Sequence, residues 1–466
     1  MDSAPILILQ MQRMGDLILT FPLIIDLSQT WPNTPIWLVA EEIFFTPLLS
    51  LAPHVTFFSP HHLPKLVHHP FSLIINVSSR PEAALFAGQA KADCILGERT
   101  TSTQREVRGF WHLYRYALTQ NNRHNTFHWA DLNRLDLVSS VAAIKKRGHT
   151  LRPPVLSSKR IGFVLGASTI HKHPDSHFWF TLARILLKQG LYPFFFGGKN
   201  EEAMGDSIAR RLGLPKANLA GKLSLAQVAT WFKTLDLCIS PDTGPMHLCD
   251  WIGTPVLNLS MGDVRAYETG PYSKGQWILT PRISCAGCWQ CQNNNFRCKQ
   301  HFTPGNVAKT LLALLRASPL HHPHGLTLSC SARENALATI VPNPARDSLP
   351  TLLDGLWRKL FLGFFDPSFL SPQDIHKTLT ALGQQYPRLL DHMQQSLASY
   401  AKQLMAARYH GSTRSSLASI PPSLRLFASF IDLYLDNAQE TPKAWEQVFV
   451  WLAQTKLFFG HPKASI

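Results

Sequence analysis

Short, continuously apolar runs that alternate with helical patterns constrain this chain more than any other feature. "PILILQ" (5–10), "IWLVA" (36–40), "VTFF" (55–58) and "SLIINVS" (72–78) each have the length and composition of a strand, and "PEAALFAGQA" (81–90) that of a helix. Strands apolar at every position are buried on both faces, so they belong to a parallel sheet covered by helices on each side. The polar, Pro-containing stretch "KKRGHTLRPPVLSSKR" (145–160) reads as a linker, after which the alternation restarts. "RIGFVL", "YPFFF", "LCIS" and "PVLNLS" are strands there. "DSHFWFTLARILLKQG" is a helix closed by Gly190, and "SLAQVATWFKTLD" a helix capped by Ser224. Two doubly wound α/β units in tandem would hold a ligand at their strand carboxyl ends.

The alternation stops near residue 318. Loop-like "SPLHHPHG" and "PNPARDSLP" precede helical patterns only, which predicts an all-α appendage with its own small core. The expected division is therefore 1–150, 158–318 and 335–466. A chain of 466 residues exceeds one ordinary core, in agreement with several domains. The net charge of +15 favours anionic partners. No long Lys/Arg block occurs, so nucleic acid is not expected. No apolar run reaches eighteen residues, and the first twenty lack the basic start of a secretory signal, so a cytoplasmic protein is expected.

Four loops at strand ends carry candidate chemistry. In "SPDTGPMHLCDW" (240–251), Pro245 suits the first turn of a helix, Asp242 or Thr243 can cap it, Gly244 opens the backbone, and His247 lies one turn in. On bare physics this is equally a diphosphate cradle at a helix N-terminus or a capped helix with a satisfied histidine. Asp16, in "LQMQRMGDLILTFPL", reads either as a first-turn acid favoured by the helix dipole or as a base facing the crevice. Pro22 is expected to kink its helix. Lys172, between His171 and His173, is either solvated or a phosphate partner. Glu201 and Glu202 follow "FGG" at a strand end, where a carboxylate can accept from a ribose. No strand is followed by G-x-G-x-x-G, which speaks against a dehydrogenase.

These pieces together, with "KHPDSHFW" and "ETGPY", resemble the ADP-heptose:lipopolysaccharide heptosyltransferases of glycosyltransferase family 9, over about residues 5–315. The resemblance implies a GT-B fold, two Rossmann-like units facing a cleft, and an inverting transfer without a catalytic metal. It implies Asp16 as the base acting on the acceptor hydroxyl and Lys172 beside the donor phosphates. Glu202 is implied at the ribose, and Asp242, Thr243, Gly244 and His247 around the donor. The implied donor is an ADP-heptose-type nucleotide sugar. The implied acceptor is a lipopolysaccharide core or related surface glycan, with a protein acceptor such as an autotransporter as the alternative. Peripheral contact with the inner membrane would follow from the basic surface. A nucleotide-sugar-binding scaffold without turnover is the competing class, and retention of Asp16 and Lys172 argues against it. Asn76 stands where an acid is expected in many relatives, while Ser78, Ser79 and Arg80 are candidates for acceptor contact.

The last signal is "CAGCWQCQNNNFRC", with Cys285, Cys288, Cys291 and Cys298 in fourteen residues. Four close thiolates suit structural zinc or a single iron, and many relatives of the family carry a cysteine-rich segment here. Cys94, Cys238, Cys249 and Cys330 read as ordinary thiols, and the loop histidines such as His61, His62, His68 and His69 as solvated side chains.

Overall fold

The computed structural model describes residues 4–137, 157–262, 264–285, 287–289, 291, 295–343, 348–369, 371–414 and 416–459. The expected linker lies outside these residues except for its last four. Six strands form the first sheet: β1 (Ile6–Leu9), β2 (Ile36–Val39), β3 (Thr56–Phe58), β4 (Phe71–Asn76), β5 (Ala92–Thr100) and β6 (Arg105–Arg108). Their order is β3-β2-β1-β4-β5-β6, parallel except for the β5–β6 edge pair. The second sheet contains β7 (Arg160–Val164), β8 (Tyr192–Phe196), β9 (Leu237–Pro241), β10 (Val256–Leu259), β11 (Trp277–Pro281), β12 (Leu326–Glu334) and β13 (Leu337–Pro342). Its order is β13-β12-β11-β10-β9-β7-β8, with antiparallel pairing only at β11–β12–β13.

Each order has one place where the winding reverses: between β1 and β4 in the first sheet, and between β7 and β9 in the second. Loops leaving neighbouring strands in opposite directions open a crevice there. Residues 10–16 and 77–80 border the first, and residues 165–175 and 242–247 border the second. The loops of Asp16, Lys172 and Asp242 thus leave strands at these reversals, while that of Glu201 and Glu202 follows the edge strand β8.

The helices that matter are α1 (Met14–Ile18), α2 (Phe21–Thr30), α3 (Phe110–Ala117), α4 (Ser176–Leu187), α5 (Gly244–Trp251) and the single turn α6 (Ala266–Thr269). The expected first helix is broken at Leu19–Thr20, and Pro22 sits in the first turn of α2, where it needs no donor. Gly190 adopts φ +74 after α4, and Ser224 Oγ caps the helix Leu225–Phe232 by accepting from Gln227 N at 3.3 Å. The two sheets share an apolar layer. Ile6, Ile8 and Phe21 cluster with Val164, Phe232, Met246 and Val256, and Phe21 meets Trp251 edge-on at 5.1 Å.

The C-terminal part is helical from α7 (Leu349–Phe365) through α8 (Pro372–Gln385), α9 (Pro387–His410) and α10 (Arg425–Asn437) to α11 (Pro442–Phe459). Two expectations fail here. The stretch after residue 318 contains the β12–β13 hairpin, which extends the second sheet. The helices also lack a core of their own. They bury Trp111, Tyr114, Phe127 and Leu132 of the first half in one cluster with Trp357, Phe361, Phe430 and Trp451. Tyr114 lies 4.7 Å from Phe361, and Phe110 stacks on Phe365 at 5.3 Å. The reason is that α3, "FWHLYRYA", carries more aromatic surface than the sheet can cover.

Because Phe361 is fully buried in this shared cluster, Phe361→Ala is expected to cost about 3–5 kcal/mol. Denaturant unfolding followed by tryptophan fluorescence should show one transition moving to lower denaturant. A separate early transition of the helices alone would contradict a shared core.

Candidate active site

Gln10 closes β1 and turns its amide onto the Asp16 carbonyl (3.4 Å) and Thr20 Oγ1 (3.2 Å). Thr20 Oγ1 donates to the same carbonyl at 2.9 Å. These bonds fix the short α1, and with it Asp16. A methyl group on Gly15 would lie 2.9 Å from His247 Cδ2. One on Gly244 would lie 2.6 Å from Met14 Cε and 3.5 Å from the Gly15 nitrogen. The two glycines therefore let the first turns of α1 and α5 meet without a side chain between them. This contact brings Asp16, at the first reversal, beside His247 and Asp242 at the second.

Burial raises the Asp16 pKa; Arg115 and then His247 oppose that rise, and Asp242 adds to it. His247 is buried beside α1, and its Nε2 lies 3.8 Å from Asp242 Oδ1. Burial holds this imidazole below its ordinary pKa, against the pull of Asp242, Asp250 and Asp16, while Lys172 lowers it further. Lys172 is thus part of the same electrostatic site. Its stem lies against Gly262, where an added Cβ would sit 2.9 Å from Lys172 Cγ. Thr243 is the N-cap residue of α5 with extended backbone, and its side chain makes no capping bond. Asp242 does not cap either: its Oδ2 accepts from Thr269 Oγ1 at 2.7 Å.

On the other wall, Gln12 Nε2 donates to Ser79 Oγ at 2.6 Å, joining the two loops of the first reversal. Arg80 pairs with Glu41. Asn76 is buried; its Nδ2 donates to the Glu98 carbonyl at 2.7 Å and its Oδ1 accepts from Ser78 N at 3.0 Å. A carboxylate could not make the first of these bonds, so the asparagine serves the loop's shape. Glu201 and Glu202 separate. Glu201 folds over the strand ends, so that a Cβ on Gly166 would lie 2.5 Å from its carboxyl, and it accepts from Gly198 N at 2.8 Å. Glu202 turns away to pair with Lys199 and packs beside Gly221.

Sequence reasoning missed Arg115. It donates to the Val77 carbonyl (3.2 Å) and Asn133 Oδ1 (2.8 Å), lies over the Trp129 ring at 4.8 Å, and supplies the largest charge acting on Asp16. Nothing in "FWHLYRYA" marks it, because its role depends on α3 packing at the β5–β6 margin so that Arg115 reaches the loop after β4. The packing of "ETGPY" was also invisible. Asn122 Nδ2 donates to Glu268 Oε1 (2.7 Å), His128 Nε2 donates to the Gly270 carbonyl (2.9 Å), and Tyr272 donates to Asp131 Oδ1 (2.8 Å). His128 is neutral, its pKa pushed down to about 4 by burial. One short stretch therefore ties the second sheet's loops to residues 122–131.

Cys285, Cys288, Cys291 and Cys298 line one small cavity with His171 and Phe296. Among the described residues, no three of His, Cys, Asp and Glu are grouped to hold a metal ion. The expected structural zinc or iron is thus not supported. Cys298 is fixed on a helical turn and buried, whereas Cys285 is exposed on the loop after β11. The segment braces the neighbouring loops. His171 stacks on Phe296 at 5.4 Å, Lys299 Nζ donates to the Ile170 carbonyl at 2.9 Å, and Trp289 Nε1 donates to Glu268 Oε2 at 3.0 Å.

Two outcomes follow. Gly15→Ala should push His247 off Asp16 and slow turnover roughly tenfold to a hundredfold, since misplacement near 1 Å has that effect. Steady-state kinetics beside a melting curve would separate this from simple unfolding. Burial raises the Glu268 pKa from 4.5 to about 7. The protonated carboxyl then contributes stability that is complete below pH 4.5 and lost as pH rises to 7. Glu268→Gln should remove this loss, on the order of 1–3 kcal/mol, in denaturant titrations at pH 4.5, 6 and 8.

The model of glycosyltransferase family 9 (heptosyltransferase) matches residues 74–298. Lipopolysaccharide heptosyltransferase 1 of Pseudomonas aeruginosa is 29% identical over 127 residues, 27% of this chain and 35% of that protein. Lipopolysaccharide core heptosyltransferase OpsX of Haemophilus influenzae is 36% identical over 61 residues, 13% of this chain and 18% of that protein. The chain thus spans about a third or less of the curated relatives it matches. The glycosyl transferase family 9 structure from Veillonella parvula superposes with a TM-score of 0.52 at 19% identity, covering 68% of this chain and 99% of that one. The GT-B plan implied by the resemblance is the plan found.

Proposed function

We propose that this chain, whose residues 74–298 belong to glycosyltransferase family 9, is an inverting glycosyltransferase that moves a heptose from an ADP-heptose-type donor to a lipopolysaccharide core or related surface glycan. The observation that carries the reading is the meeting of α1 with α5. It sets a carboxylate of raised pKa against a helix N-terminus and a lysine. A base whose pKa is lifted toward neutrality is better matched to a sugar hydroxyl than an ordinary aspartate.

In this mechanism Asp16 takes the acceptor hydroxyl proton as that oxygen attacks the anomeric carbon. The bond from that carbon to the diphosphate oxygen breaks on the opposite face, and the electron pair leaves with the ADP. The transition state is oxocarbenium-like. Lys172 and the first-turn amides of α5, opened by Gly244, take the growing negative charge, so the step requires no divalent metal. Asp242, held by Thr269, and neutral His247 orient the donor. Arg115 restrains the rise of the Asp16 pKa. Glu201 is better placed at the strand ends to accept from the ribose than Glu202, which is engaged by Lys199. Ser79 and Arg80 lie on the acceptor wall.

No helix among the described residues is long and apolar enough to cross a membrane. The net charge of +15 supports docking from the cytoplasmic side against anionic lipid that presents the acceptor.

Asp16→Asn should lower transfer by a factor of about 10²–10⁴ while ADP binding changes little, read by ADP release and by calorimetry. Wild-type turnover should rise with pH through the raised Asp16 pKa. Equal ADP release by both proteins with ADP-heptose would instead point to a binding scaffold.

A further inference from the structure

A second hollow, of about 780 Å³, lies beside this site. Ala266 and Tyr267 of α6 line it, and Thr269 of the same turn holds Asp242. Its floor is the carboxyl edge of the second sheet, from Ser260 after β10 to Arg282 after β11. Its roof is the C-terminal helical region: the first turn of α7, His392 on α9 and the Pro421–Ser423 bend. Arg123 and His124 close a third side. The enclosure therefore depends on the helical extension.

Among the described residues, the lining has three arginines, Arg123, Arg265 and Arg282, against one carboxylate, Asp354. That carboxylate is already engaged, by Arg265 Nη2 at 2.8 Å and His124 Nδ1 at 2.9 Å. Arg123 donates through Nη2 to the Ser284 carbonyl at 3.1 Å, and Arg282 is exposed at the rim. The N-terminus of the 17-residue α7 adds its positive end. Flat apolar faces accompany the charge. Tyr267 is held by its hydroxyl on the Ile340 carbonyl (3.2 Å), and Pro281, Pro350, Pro421 and Pro422 surround the space. Cations, hydroxyl side chains and flat apolar faces together suit a sugar that bears negative charge. Gly262, against which Lys172 packs, is part of the same lining, so an extended glycan bound here reaches toward the reacting groups.

We propose that this hollow binds an anionic stretch of the acceptor glycan, a saccharide carrying phosphate or carboxylate, beside the sugar that receives the transfer. The inference rests on the glycosyltransferase reading. The test uses the full chain and the double variant Arg123→Ala/Arg282→Ala, with deacylated lipopolysaccharide core oligosaccharide as probe. The probe is used intact, dephosphorylated and carboxyl-reduced. Calorimetry with ADP and donor hydrolysis run in parallel. Expected is binding of the intact probe that falls at least tenfold in the variant, with ADP affinity and donor hydrolysis unchanged. Whichever treated probe loses affinity names the charged group. Equal affinity of wild type and variant, or affinity indifferent to both treatments, overturns the proposal. Failure to bind any probe while ADP still binds also overturns it. Failure to bind ADP instead sinks the glycosyltransferase reading.

Discussion

The arrangement depends on one close approach: the first turns of α1 and α5 touch through Gly15 and Gly244. Each helix follows a different sheet, and each starts at that sheet's winding reversal. Any side chain at either glycine would hold the two crevices apart. Because there is none, Asp16 feels His247 and Asp242 directly, and the apolar layer from Ile6 to Val256 can close beneath them. Packing and catalysis-ready geometry are here the same contact.

That contact gathers charges of both signs in a poorly hydrated place. Asp16 and Asp242 face Arg115, Lys172 and the positive end of α5. Burial raises the pKa of Asp16; the buried arginine beside it restrains the shift. The balance leaves an aspartate more basic than usual beside these cations. An anionic leaving group fits such a field, because it finds oriented donors rather than water that must reorganise.

The outer parts of the chain serve this centre indirectly. "ETGPY" uses its glutamate, glycine carbonyl and tyrosine to grip residues 122–131. The cysteine segment leans on the Lys172 loop through Phe296 and Lys299 and on Glu268 through Trp289. The helical extension shares its core with α3, the helix that carries Arg115. Removing it would expose the back of the helix whose arginine restrains the Asp16 pKa.

Period and turn chemistry in the sequence determined the two α/β units, the central strands, the caps at Ser224 and Gly190, and the strand-end positions of Asp16, Lys172 and Asp242. These features are local: a strand's apolar run or a helix's first turn follows from neighbours a few residues away. The antiparallel pairs at the sheet margins, β5–β6 and β12–β13, escaped because partly exposed strands carry polar and charged residues that blur the apolar signal. Only the tertiary structure decided that Arg115 stands behind Asp16, that Glu201 rather than Glu202 covers the strand ends, and that the C-terminal helices share a core with residues 110–137. Those facts join residues more than 300 positions apart. They are set by which surfaces exclude water together, and no single stretch of chain encodes that.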